Sequence, residues 1–389
     1  MLLPGWELAV AIIRNFLKWM ETAKVSERAA GAAALARAYL QKDLSFDDRL
    51  AAEAALTLLL DDPSPKVRLA LSETLSLSHR APMQVVMVLA ADQPQVAAPI
   101  IVRSPLLTDS DLIDRVAAGD ARIQVLVASR PRISMALSAA IAEVGSVEAC
   151  LTLLRNGGAQ IAALSFRRMV ERHGSDASIR HALAADRRLP PECRHLLVMR
   201  VGEALSSAPL VQALIGPSRA EKLAREACVQ ASITLIDAVD SREHAALVEH
   251  LRLRGDLTSA FLVRAVAHGK IDFFAAALVA LTGRNDARVQ SILAVGRQAA
   301  LSALFAKAGL KQITHLPIIA ALKIWREVAN GERIAGPQEV AWHMLEALEA
   351  DLKRRGISEN IPLAGLLRRI HLEALRENAR SLAQELTAA

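Results

Sequence analysis

Five arginines, Arg155, Arg167, Arg168, Arg172 and Arg194, are the side chains whose type and spacing best suit chemistry with a partner. A guanidinium is a planar fork of donors that takes two oxygens of a phosphate or carboxylate at once. Arg167, Arg168 and Arg172 fall at helical spacing. All twelve basic residues of 121–200 are arginine, against six acids, so that stretch carries +6. Residues 46–120 hold six basic and eleven acidic residues and carry −5. Two expectations follow: a basic face for a phosphate-bearing or acidic partner, or arginines that solvate helices and pair with acids in neighbouring segments.

Other chemistry finds little support. His244 and His250 flank Glu249, but six residues separate the histidines, whereas the zinc-binding HExxH helix needs four. Cys193-Arg194-His195 offers one Cys-x-His with no second ligand pair, and adjacency in sequence does not make a thiolate–imidazole couple. No GxSxG elbow, GxGxxG turn or GxxxxGK[ST] loop occurs. We therefore expect no catalytic residues, metal ligands or cofactor. Cys150, Cys193 and Cys228 form no disulfide framework and read as free core thiols, which fits a reducing cytoplasm.

The elements that must position these residues are helical. Of 389 residues 52% are apolar but only 3% aromatic, so helices would pack through Ala, Leu, Val and Ile. Asp61-Asp62-Pro63-Ser64-Pro65-Lys66-Val67-Arg68 reads as a turn between helices, with Ser64 as N-cap and Pro65 in the first turn. Val67, Leu71 and Leu75 then stack on one face. Looser copies lead to Val96, Ile123, Ile161 and Val289. Steps of 29, 27 and 38 residues between the first four anchors suit helix pairs that bury their faces on one another. The predicted fold is an all-α solenoid of stacked antiparallel helix pairs with a C-terminal helical segment.

Four segments are expected: an amphipathic helix over 1–24, repeats over 25–215, a second repeat segment over 216–310, and C-terminal helices over 311–389. Pro190-Pro191 and the Ser206–Pro217 stretch are the strongest internal boundary signals. No signal peptide is expected, and no apolar run of about eighteen residues or more predicts a transmembrane helix. The terminal helices, including the stripe Val340, Met344, Leu345, Leu348 and Leu352, could serve as core or as a homodimer contact; the Trp6–Trp19 helix could also lie on a membrane.

The turn Asp62-Pro63 with Val67-Arg68 resembles HEAT repeats, a likeness that implies a structural Arg68 paired with an acid such as Asp61 or Asp62 of its own or a neighbouring turn. Some HEAT-like solenoids are DNA glycosylases, so the resemblance allows a nucleic-acid-binding alternative. Phe166 is the only aromatic residue over 121–230, which leaves little for base stacking. The run of apolar helix, Gly283-Arg284-Asn285-Asp286 turn, Val289-led helix and Lys307-Ala308-Gly309-Leu310 ending resembles the bacterial domain-of-unknown-function family 2336. That resemblance implies a cytoplasmic helical protein and supplies no functional residues. The function expected is a non-catalytic protein–protein interaction scaffold.

Overall fold

The structure is a computed structural model that describes residues 15, 18–41, 44–356 and 362–388. The expected amphipathic helix over 1–24 therefore lies mostly outside the described residues. Among those described, no strand forms; extended pairing is confined to one bridge between Ile133 and Ala159. The chain divides into two compact units, Met1–Leu189 and Pro190–Ala389.

Helices of the first unit run over Val25–Tyr39 (α1), Phe46–Leu58 (α2), Pro65–Leu75 (α3), Met83–Ala91 (α4), Pro94–Arg103 (α5), Asp109–Ala118 (α6), Ala121–Ala128 (α7), Met135–Val144 (α8), Val147–Arg155 (α9), Ala163–His173 (α10) and Ala177–Ala185 (α11). The odd-numbered members α1, α3, α5, α7, α9 and α11 pack each on the next as one row, and α6, α8 and α10 form a second. This two-row stacking of short helix pairs is solenoid-like, and each pair buries its apolar face against its neighbours. Val67 and Val96, two of the anchors read from the turn pattern, are fully buried, as are Leu71 and Leu75. Pro65 stands in the first turn of α3 as expected, but the Ser64 hydroxyl makes no cap bond. Asp62 instead accepts the Ser64 N–H at 2.8 Å.

The second unit holds Pro191–Ser206 (α12), Pro209–Ile215 (α13), Pro217–Asp237 (α14), His244–Arg254 (α15), Ser259–Ala267 (α16), Ile271–Thr282 (α17), Asp286–Val295 (α18), Gln298–Lys307 (α19), His315–Ala329 (α20), Pro337–Arg355 (α21) and Pro362–Ala388 (α22). Its centre is α16, in which every residue from Phe261 to Ala267 is buried. It packs on α14, α17, α20, α21 and α22. A helix so largely apolar is stable only when covered on every side, and its one charged member, Arg264, is paired with Glu373. The α21 stripe predicted from sequence is spent here: Val340, Met344, Leu345, Leu348 and Leu352 are all core.

The two units close their helix ends differently. The last carbonyls of a helix have no intrahelical donor. In the second unit, α15, α17, α18 and α21 end on glycines in the left-handed conformation, such as Gly255 and Gly283. No described glycine of the first unit has a positive φ. There the carbonyls are met by side chains from elsewhere, mostly arginine.

Candidate functional site

The arginine-rich stretch of the first unit resolves into a ladder. Arg115 Nη1, near the end of α6, donates to Ala90 O at the end of α4, at 2.6 Å. Arg130, just past α7, donates to Ile101 O and, at 2.9 Å, to Ser104 O at the end of α5. Arg172 on α10 donates to Ala142 O (2.8 Å) and Gly145 O (3.1 Å) at the end of α8. Arg188, past α11, reaches Leu154 O and Ala159 O, each at 3.0 Å, closing α9. Asn156 does the same for α7 through Ala128 O and Arg130 O. Each cap thus comes from the end of a helix and closes the helix two places earlier.

A cation at a helix C-terminus meets both free acceptors and the negative end of the macrodipole. Burial pushes the Arg115 and Arg130 guanidiniums below their ordinary value, with Asp111 and Asp109 pulling the other way. The N-terminal ends are closed locally: Thr108, Asp120, Ser134, Ser146 and Asp176 each accept a backbone N–H of their own first turn. Nearer the N-terminus, arginines in the first turns of α1 and α3 pair instead with acids of later turns. Arg28 pairs with Asp62 at 2.9 Å, and Arg68 pairs with Asp92 at 2.6 Å while also donating to Asp62 O. Arg68 is therefore paired with an acid of the next turn, and that bond holds the Asp92 carboxyl below its usual range.

The five sequence-selected arginines fall into different environments. Arg172 is committed to carbonyls, as above. Arg168 forms ion pairs with Glu143 at 2.7 Å and Glu171 at 3.7 Å. Arg155 and Arg167 are exposed and make no ion pair or hydrogen bond among the described residues. Arg155 lines an open cleft of 560 Å³ with Ser178, His181 and Arg187. Arg194 belongs to α12 in the second unit and is half-buried.

Two further features stand out in the second unit. His195 Nδ1 and His250 Nε2 lie 3.2 Å apart although 55 residues separate them, their rings edge to face. Burial, then the neighbouring His250, depresses the His195 pKa to about 4, so His195 is neutral at pH 7. No group of three or more His, Cys, Asp or Glu among the described residues is arranged to hold a metal ion.

The other is an apolar tip. The hairpin of α12 and α14, bridged by α13, exposes Leu205, Leu210 and Leu214, with Leu210 and Leu214 at 72% and 74%. None of the seven residues of α13 is buried. No charged residue occurs between Glu203 and Arg219. Closer to its base the hairpin is tight: a Cβ at Gly202 would lie 2.3 Å from Cys228 Sγ.

A family of uncharacterised proteins conserved in bacteria (DUF2336) matches residues 96–358. The chain belongs to this family. The DUF2336 match begins within α5 and runs past the end of α21, so it includes most of the arginine ladder and the centre of the second unit. No curated protein and no solved structure matches the chain. No helix among the described residues is long and apolar enough to cross a membrane.

Proposed function

We propose that this protein is a non-catalytic protein–protein interaction scaffold. The observation that carries the reading is the uncharged apolar tip of the α12–α14 hairpin. A surface helix normally buries one face and charges the other; α13 does neither. A cluster of exposed leucines costs solubility and has no role in the core, and such patches mark contact surfaces. The arginine ladder supports the same reading indirectly, since it assigns many of the basic residues of the first unit to holding helices together.

The test is a photo-crosslinking amino acid placed at Leu214 of the full chain in its native cells. One reproducible crosslinked protein, lost when Leu205 and Leu210 are both changed to Asp, is the expected result. No crosslinked protein, with the variant behaving as the parent in every assay, would remove the tip as an interaction site.

A second reading, nucleic-acid binding, draws support from the exposed Arg155 and Arg187 in one open cleft and from unpaired Arg167 nearby in sequence. Its signature is duplex affinity that falls steeply between about 50 and 200 mM salt. Arg155→Glu with Arg167→Glu should abolish it; unchanged affinity would reject these arginines as the contact.

A further inference from the structure

The second unit holds a half-open cavity of 340 Å³ between α12, α14, α16 and α22. That volume lies in the range of small-molecule sites, roughly 300–1,000 Å³. Its wall is largely apolar and includes Met199, Val229, Phe261 and Leu366. The charges around it cancel in pairs. Arg264 donates to Glu373 at 2.5 Å and to Gln230 at 2.8 Å. Arg369 pairs with Glu226 at 2.5 Å, and Asp256 with Arg254 at 2.9 Å.

Arg225 is the exception. It lines the cavity, is exposed, and makes no ion pair or hydrogen bond among the described residues. His195 also lines the cavity, is 2% exposed, and is tied to His250. An imidazole buried against another imidazole adds a polar group and no charge. The cavity therefore combines an apolar wall with one uncompensated positive charge.

We propose that this cavity binds a small amphipathic monoanion, with its apolar body against Met199, Phe261 and Leu366 and its carboxylate at Arg225. A cationic amphiphile of the same size would meet Arg225 as a like charge. A neutral one would leave the guanidinium without a partner and forgo the charge-assisted bond.

Isothermal titration calorimetry on the full chain, with sodium octanoate below its micelle concentration, tests the assignment, using octylamine and octanol as controls. Octanoate should bind, and octylamine should bind at least about tenfold more weakly, since one charge-assisted bond is worth a factor of that order. Arg225→Gln should weaken octanoate about tenfold while leaving octanol unchanged. Ala260→Trp, at an exposed position on the cavity rim, should abolish binding of both octanoate and octanol. Both substitutions are at exposed sites, and circular dichroism should show the parent helix content. Equal binding of octanoate and octylamine, octanoate affinity that survives Arg225→Gln, or no octanoate binding at all would overturn the proposal.

Discussion

Arg115 donates to the carbonyl oxygen of Ala90 at 2.6 Å, so a side chain on α6 closes the C-terminus of α4. Arg130, Arg172 and Arg188 repeat that relationship further along the first unit. The arginines there bind peptide carbonyls more than they bind acids.

Removing one rung should be costly. Arg130→Met keeps much of the apolar stem but leaves Ile101 O and Ser104 O without their donor. A hydrogen bond from a charged group contributes about 1.5–3 kcal/mol, so we expect a loss of about 2 kcal/mol, read as a lower urea midpoint. Arg130→Lys should recover only part of it, because an ammonium lacks the fork that spans two carbonyls. A stability equal to the parent's in the Met variant would show that the carbonyls find other donors.

Arg155 and Arg167 should behave oppositely. Both are exposed and without partners among the described residues. Arg155→Glu and Arg167→Glu should each change stability by no more than about 0.5 kcal/mol, as substitutions away from packed features do. The contrast with Arg130 and Arg172 in the same denaturation series separates arginines that hold helices from those that are free to meet something else.

Acid should weaken the second unit before its carboxylates titrate. His195 and His268 both have pKa values depressed to about 4, first by burial, then by His250 for His195 and by Arg264 and Lys270 for His268. In the unfolded chain each returns to about 6.5. Between those values the unfolded state binds more protons, so stability is fully present above about pH 6.5 and falls as pH drops toward 4. Urea midpoints at about pH 7 and about pH 5 should differ, and the difference should shrink when His195 and His268 are both changed to Gln. An unchanged difference would place the acid sensitivity elsewhere.

Gly202 should tolerate no side chain while Cys228 faces it. A Cβ there would lie 2.3 Å from Cys228 Sγ, so Gly202→Ala should cost about 1–3 kcal/mol through overpacking. Cys228→Ala removes the sulfur and should make Gly202→Ala much less harmful in the same background. Calorimetric midpoints of the two single variants and the double variant measure that coupling.

Much of the fold was legible because helix packing writes itself in spacing. The repeat of Val67, Leu71 and Leu75, the copy at Val96 and the α21 stripe are all core, since apolar residues at helical period have nowhere else to go. The partners of the arginines were not legible. A carbonyl is present at every residue, so nothing marks Ala90 or Ala142 as an acceptor. What could have been noticed is position: Arg115 and Arg172 fall in the last turn of their helices, and Arg130 and Arg188 just beyond theirs, in a unit whose helices lack left-handed glycine caps. Arg68 shows the limit of local reading, for its acid is Asp92, 24 residues on. The His195–His250 contact depends on how α12 meets α15, which neither helix encodes alone.

The rungs of the ladder all point one way along the chain. Ala90, Ile101, Ala142 and Leu154 wait for donors 25, 29, 30 and 34 residues later. A ribosome delivers the chain from its N-terminus. Each of these helices therefore emerges with an open end that the next stretch of synthesis must seal, so the growing edge of the first unit stays unfinished until its last arginine has been made.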